Sequence, residues 1–154
     1  MGYRWPDHQN EGNDLSAKII NSISNKDMKT LKSVFCKKTL DSINIDQQIQ
    51  DAFNFFKGTY TQGKVKGLFG TEYVDGNHDY HTTVSDNETV QNHEPTSTSI
   101  FVVNKNIQTD IGKTYQVEFY AYLLNNNEKA FEGVSQIKII NDKGDKFIIG
   151  KKVD

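Results

Sequence analysis

The chain has 154 residues, of which 18 are lysine or arginine and 20 are aspartate or glutamate, so its formal net charge is −2. This length suits one domain with a sizeable core, and a near-neutral charge without a basic block argues against nucleic-acid binding. No apolar run approaches the roughly 20 residues of a membrane-spanning helix, and the single cysteine, Cys36, cannot form an internal disulfide.

The N-terminal part of the chain contains three helical patterns. Residues 1–13 show neither a signal peptide nor a helical period, so we predict a disordered tail or linker there. A single domain is expected over residues 14–154, with its first helix starting at Asp14, a good N-cap residue. The second pattern follows Asn25, and the third runs from Asn44 to Gly58. Apolar residues recur in them at helical spacing: Leu15, Ile19, Ile20 and Ile23; Met28, Leu31 and Phe35; Ile45, Ile49, Ala52, Phe53 and Phe56.

After Gly58 the apolar period changes to two, which indicates strands. Residues 59–75 predict two strands or a bent ribbon, and the polar residues 77–97 predict a loop or a weakly paired edge. Helices followed by an antiparallel sheet are typical of an α+β domain in which the helices cover one sheet face. Further strands are predicted at about residues 99–110, 114–124, 133–141 and 146–153.

Several segments resemble a known family. Residues 17–35 (AKIINSISNKDMKTLKSVF) have the apolar rhythm that opens nuclear-transport-factor-2-like (cystatin-like, SnoaL-like) domains. A closer resemblance is to a group of lipoproteins of unknown function from low-GC Gram-positive bacteria, and it covers about residues 14–153. It is carried by residues 45–49 (IDQQI), 53–58 (FNFFKG), 115–119 (YQVEF) and 132–134 (EGV).

The resemblance implies a cone, in which a strongly curved antiparallel sheet wraps around the N-terminal helices and leaves a mouth for a small molecule. The wider family includes ketosteroid isomerases, dehydratases and polyketide cyclases, but also binding and dimerising modules, so the fold does not give the function. The closer group implies a lipid-anchored, extracytoplasmic protein. The signal peptide and the lipid-anchor cysteine of the full-length precursor would then lie upstream of Met1.

An enzyme of this fold needs an acid or a base that projects into the cone. Alternation along the two best-defined strands instead directs mostly apolar side chains towards the helices. These side chains are Tyr115, Val117, Phe119, Ala121 and Leu123 in one strand, and Ser135, Ile137 and Ile139 in the next. The interior therefore favours a non-enzymatic module.

The stretch DGNHDYH, residues 75–81, contains two histidines at H-x-x-H spacing. A zinc site needs both imidazoles to converge, which this spacing permits on a helix but not along a flat strand. Because DGN favours a turn, we expect His78 and His81 on a polar turn, and we expect no metal and no cofactor. The weak catalytic candidates at the cone mouth are His81, Asp79 and Tyr73, as a His81–Asp79 or a Tyr73–His81 pair.

The outer face of the sheet is a candidate interface. An exposed face normally has short polar residues, whereas the sequence places larger side chains there: Tyr120, Tyr122, Leu124 and Ile140. An aromatic centre with a polar rim resembles an interface, and a homodimer is one possible use of it. The alternatives are tyrosines that stiffen an exposed sheet, or a surface for another protein.

Three functional hypotheses remain open at this point. The first is an extracytoplasmic, non-enzymatic module that binds a protein or a small apolar ligand. The second is a small-molecule isomerase or dehydratase with its site at the cone mouth. The third is an immunity-type inhibitor of a toxin.

Overall fold

The computed structural model describes residues 5–42, 44–60, 71–85 and 88–153, and it describes side chains for residues 10–42, 44–60 and 96–153. Within these residues the helices are α1 (Trp5–Asn25), α2 (Met28–Val34), α3 (Lys37–Leu40) and α4 (Ile45–Phe55). The strands are β1 (Thr71–Ser85), β2 (Glu88–Gln108), β3 (Thr114–Asn125), β4 (Gly133–Ile140) and β5 (Lys146–Gly150). A 3₁₀ helix, Lys129–Phe131, precedes β4.

The five strands form one antiparallel sheet in the order β1-β2-β3-β4-β5, so each strand pairs with its neighbour in the chain. Register shifts occur between Thr98 and Ser99 and between Tyr120 and Ala121, and such irregularities bend a strand and increase its twist. Helices packed on this curved sheet confirm the predicted α+β fold. No helix in the described part of the chain is both long and apolar enough to cross a membrane.

The core lies between the helices and the inner face of the sheet. The inward and outward alternation predicted for β3 and β4 is confirmed by their burial patterns, except that it stops after Ala121, since Leu123 is only partly buried. The largest side chains that are fully buried there come from both layers: Ile19, Ile20, Ile23, Leu31, Ile49 and Phe56 from the helices; Ile100, Ile107, Phe119, Ile137, Ile139 and Ile149 from the sheet.

Helix α1 begins at Trp5, inside the segment predicted to be a tail. One turn before the apolar stripe, its packing face has small residues, Gly12 and Ser16, which are buried against β2. A Cβ atom at Gly12 would lie 3.4 Å from Cγ2 of Val102. Asn104 Nδ2 donates a hydrogen bond of 3.0 Å to Ser16 Oγ. Because these contacts use small and polar residues, hydrophobic periodicity gave no sign of them.

Much of the segment predicted to be a loop belongs to strands. Residues 77–85 continue β1, which is an edge of the sheet, and residues 88–97 begin β2. Strand pairing uses backbone groups, and the threonines and valines near the hairpin end favour strands although the segment is polar; Thr83 pairs with Val90, for example. Of the predicted ribbon at residues 59–75, residues 61–70 lie outside the described part.

The aromatic stripe of α4 should dominate the stability of the domain. Phe53 is 3% exposed and belongs to the same hydrophobic cluster as Phe119 and Ile137. Truncating Phe53 to alanine leaves a cavity, so Phe53→Ala should lower the free energy of unfolding by about 3–5 kcal/mol. Urea denaturation followed by circular dichroism measures the loss.

The matched control for this variant is Gln50→Ala, on the exposed side of the same helix. It should change stability by no more than about 0.5 kcal/mol. If Phe53→Ala unfolded at the same urea concentration as the control, α4 would not pack against the sheet.

Candidate functional site

A cleft of about 460 Å³ lies where α4 ends, β3 begins and β4 turns into β5. We call it the end cleft. Its floor consists of three aromatic side chains, Phe55, Tyr115 and Phe147. Its rim is polar and comes from three separate chain segments: Asp51, Asn54 and Lys57; Lys113; and Asn141, Asp142, Lys143 and Asp145.

The end of α4 is fixed against the turn between β2 and β3. Gly58 adopts φ +85°, and a Cβ atom there would lie 2.9 Å from both Asp110 Oδ1 and Ile111 Cγ1, so only glycine fits. The backbone N–H of Thr59 donates to Asp110 Oδ1 at 2.8 Å. This close approach places the last residues of α4 beside the start of β3.

Lys26 closes the same helix end from the other side. Its Nζ donates a hydrogen bond of 2.6 Å to the carbonyl oxygen of Phe56, one of the acceptors that the helix end leaves unpaired. The ammonium also lies 5.4 Å from the centre of the Phe56 ring. Burial and, to a smaller extent, the positive charge of Lys57 lower the pKa of Lys26 below its usual range.

Tyr115 connects the floor of the cleft to α4. Its ring stacks on Phe56, with 4.4 Å between ring centres, and meets Phe55 edge-on at 6.3 Å. Its hydroxyl accepts a hydrogen bond from the backbone N–H of Lys57 at 2.8 Å and donates to the carbonyl of Phe55 at 3.2 Å. This hydroxyl is therefore held in place by the backbone at the helix end.

The opposite wall is the tight turn between β4 and β5. Asn141 Oδ1 accepts hydrogen bonds from the backbone N–H groups of Lys143 (3.0 Å) and Asp145 (2.8 Å). Its Nδ2 donates to Asp145 Oδ2 at 3.2 Å. Beyond the turn, the half-buried Phe147 lies 6.0 Å from Phe55 between ring centres. The turn thus holds Phe147 at a fixed distance from α4.

The rim has equal numbers of positive and negative groups: Lys57, Lys113 and Lys143 against Asp51, Asp142 and Asp145. Within the described part of the chain, the three ammonium groups and the Asp142 carboxylate have no hydrogen-bonding partner. Asp51 accepts a hydrogen bond of 2.8 Å from Gln47 Nε2. The cleft therefore offers both free donors and free acceptors to a ligand, without a net formal charge.

Among the residues whose side chains are described, no carboxylate, imidazole, ammonium or guanidinium group is buried; the buried ionisable side chains are Tyr60, Tyr115 and Cys36. The other buried polar side chains are hydroxyls and amides: Ser16, Ser22, Ser24, Thr39, Ser97, Thr98, Ser99, Asn104, Thr109, Asn125 and Ser135. Cys36 is buried, with its Sγ 3.2 Å from Thr39 Oγ1. No group of three or more metal-ligating side chains occurs among the residues whose side chains are described.

The sequence candidates Tyr73, Asp79 and His81 all lie in β1. The predicted turn at His78 and His81 is wrong, because both residues lie inside this strand, and DGN itself is paired in register with residues 99–101 of β2. At about 3.3 Å per residue, the backbones of Tyr73 and His81 are separated by at most roughly 26 Å along the strand. The side chains of all three candidates lie outside the described part, so the His81–Asp79 and Tyr73–His81 pairs stay predictions.

Of these candidates, Asp79 is distant from the end cleft. Asp79 pairs with Ser97, and Ser97 pairs with Asn125 at the far end of β3. The cleft contains Tyr115, close to the first residue of the same strand. Tyr73 lies between these two ends, because it pairs with Val102 and Val102 pairs with Phe119.

Comparison with known families identifies most of the chain. The family model described as a domain of unknown function, DUF5104, matches residues 18–142. This protein belongs to the DUF5104 family. No curated protein matches it. The helices and the curved antiparallel sheet of this DUF5104 domain are compatible with a nuclear-transport-factor-2-like fold. The matched span contains α4 and the start of β3, but it ends before Phe147.

The predicted interface on the outer face of the sheet forms a connected aromatic group. Tyr120 and Tyr122 meet edge-on at 5.9 Å, and Tyr122 stacks on Phe131 at 6.2 Å. Lys152 Nζ lies 4.5 Å from the centre of the Tyr120 ring. All four predicted interface residues, including Leu124 and Ile140, are partly exposed. The structure brings the tyrosines together, and their role as an interface stays a prediction.

The sequence reasoning missed Phe55 and Phe147, although a signal for each was present. Phe55 lies outside the buried stripe of α4, next to Phe56 and Lys57, so it is an aromatic residue that the helix does not need for its core face. Phe147 follows directly after a polar turn, at the start of a short strand. An aromatic side chain beside charged residues at the end of an element was the available signal.

The Tyr115 hydroxyl should contribute measurably to stability. Tyr115→Phe leaves the Lys57 N–H and the Phe55 carbonyl without their partner, so the free energy of unfolding should fall by about 1–3 kcal/mol. Tyr120→Phe is the matched control, since the Tyr120 hydroxyl has no hydrogen bond within the described structure. Urea denaturation compares the two variants, and equal stabilities would show that the hydroxyl does not hold the helix end.

Proposed function

We propose that this DUF5104 domain is a non-enzymatic binding module that takes a small ligand in the end cleft. The observation that carries the proposal is the cleft floor, where two half-exposed aromatic rings, Phe55 and Phe147, face a polar rim. Ligand sites typically combine such an apolar floor with a few polar groups, in volumes of roughly 300–1,000 Å³. The end cleft has this composition and size.

The packing of the domain supports binding over catalysis. Phe56, Phe119 and Ile137 fill the space between the helices and the sheet, each with 1% or less of its surface exposed. The carboxylates at the end cleft are exposed to solvent, where water screens them, whereas an effective general acid or base is normally tuned by burial. The aromatic floor and the fixed helix end are therefore better suited to holding a molecule than to moving a proton.

A fragment screen tests the proposal. Ligand-observed NMR with a library of small polar and aromatic molecules should identify binders, and in ¹⁵N-edited spectra of the labelled protein these should shift the backbone amides of residues 54–58, 113–116 and 141–147. Phe147→Ala should weaken these binders about tenfold, which corresponds to about 1.4 kcal/mol. Phe131→Ala, an aromatic truncation on the outer face of the sheet, is the control and should leave the affinities unchanged.

Two results would contradict the proposal. One is a screen in which no fragment shifts the cleft amides, and the other is a set of fragments that bind equally well to Phe147→Ala. Circular dichroism of each variant confirms that a lost signal does not come from unfolding.

We also propose that the domain acts outside the cytoplasm, as part of a lipid-anchored precursor. The support for this localisation is the sequence resemblance to the lipoprotein group. The genomic sequence upstream of Met1 tests it directly, since it should encode a signal peptide followed by a lipid-anchor cysteine. An upstream stop codon without such a segment would remove this part of the proposal.

A second candidate role is homodimer formation through the outer face of the sheet. The supporting observation is the partly exposed group of Tyr120, Tyr122 and Phe131, next to the ion pair between Lys138 and Glu118 (3.8 Å). This face has positive and negative side chains around an aromatic centre. Two copies related by a two-fold axis can therefore place opposite charges against each other.

Light scattering of the protein at tens of micromolar tests the dimer. The expected mass is twice that of one chain, and Tyr120→Glu should reduce it to a monomer, because it buries an unpaired carboxylate in the interface. Gln50→Glu adds the same charge on the exposed side of α4 and should remain dimeric. A monomer mass for the unmodified protein would exclude the dimer and leave the tyrosines as sheet packing or a surface for another protein.

A further inference from the structure

Resting on the proposed function, we propose a ligand class for the end cleft: a neutral saccharide ring. Three properties of the cleft lead to this class, namely the shape of its floor, the hydrogen-bonding capacity of its rim and its charge balance. Each property separates saccharides from at least one other kind of small ligand.

The floor suits the flat C–H face of a sugar ring. Phe55 and Phe147 lie 6.0 Å apart with an angle of 35° between their planes, both are partly exposed, and together they form an aromatic platform in a cleft that is open to solvent. An aromatic ring presents a negative face, which attracts the slightly positive hydrogens of C–H bonds. An open aromatic platform favours a ligand that lies on it over an apolar chain that needs to be enclosed.

The rim can pair with hydroxyl groups in both directions. Lys57, Lys113 and Lys143 offer ammonium donors without partners in the described structure, and the Asp142 carboxylate offers free acceptors. Asn54 adds an amide that can donate and accept. A sugar hydroxyl both donates and accepts, so a ring of hydroxyls can satisfy this mixed rim, whereas a ligand with one kind of group cannot.

The charge balance of the rim argues against charged ligands. Three lysines and three aspartates surround the cleft, so an anion attracted by the lysines also meets three carboxylates, and a cation meets three ammonium groups. The overall electrostatic field of the rim therefore attracts neither an anion nor a cation, and the binding of a neutral ligand does not depend on such an attraction. The walls are also fixed before binding, by the Tyr115 hydroxyl and the Asn141 side chain, which lowers the entropy lost on binding.

Saturation-transfer NMR on the full 154-residue chain tests this ligand class. The neutral probes are cellobiose, maltose and N,N′-diacetylchitobiose, and the charged probes are benzoate and benzylammonium. At least one disaccharide should bind, with the strongest transfer to the C–H protons of one ring face. Its affinity should change less than about twofold between about 50 and about 500 mM salt, because screening affects only charged partners.

Two variants locate the bound sugar. Phe147→Ala removes half of the platform and should weaken binding about tenfold, whereas Ile148→Ala should change the affinity less than twofold. Ile148 is the matched control because it follows Phe147 in β5, points to the other face of the sheet and is 44% exposed.

The outcomes separate this inference from the proposed function. If benzoate or benzylammonium shifts the cleft amides and no disaccharide does, the saccharide class is overturned, while the binding module stands. If a disaccharide binds equally well to Phe147→Ala, or binds only at low salt, the saccharide class is also overturned. The proposed function fails separately, when the fragment screen finds no ligand at the cleft amides.

Discussion

The stacking of Phe56 on Tyr115, 4.4 Å between ring centres, is the contact on which the arrangement of this domain depends. It joins the end of α4 to the start of β3 and closes one end of the space between helices and sheet. The Tyr115 hydroxyl adds hydrogen bonds to the backbone on both sides of Phe56. Because the helix end is fixed in this way, the neighbouring Phe55 stays partly exposed at the edge of the core and becomes part of a cleft.

A filled interior moves the candidate site from the middle of the fold to its end. Phe53, Phe56 and Phe119 occupy the space between the helices and the sheet and are almost completely buried. The buried polar groups that remain, such as the bond between Ser16 and Asn104, hold helix and strand in register. Among the residues whose side chains are described, the end cleft lies where the packed layers end and side chains still reach solvent.

Hydrophobic periodicity was sufficient to predict the helix-to-sheet order, the inward face of β3 and the aromatic stripe of α4. It could not predict the extension of α1, where Gly12 and Ser16 pack because they are small. It also misplaced the hairpin of β1 and β2, since turn signals such as DGN compete with backbone pairing that only the partner strand reveals. The end cleft was out of reach for a further reason: Phe55 and Phe147 are 92 residues apart in the chain, and only the closed fold brings them together.

The partly exposed aromatic side chains at the end cleft are better explained by contact with a ligand than by a role in the core. Phe55 lies beside the buried stripe of α4, and the packed core already contains Phe53 and Phe56, so the helix would remain anchored without it. Partly exposed aromatic rings gain little from burial within the chain, and a ligand that covers them gains the remaining hydrophobic free energy. Because the stack and the Asn141 turn fix both walls in advance, little of that gain is lost in ordering the site. The same packing that buries Phe53, Phe56 and Phe119 therefore gives the cleft its rigidity.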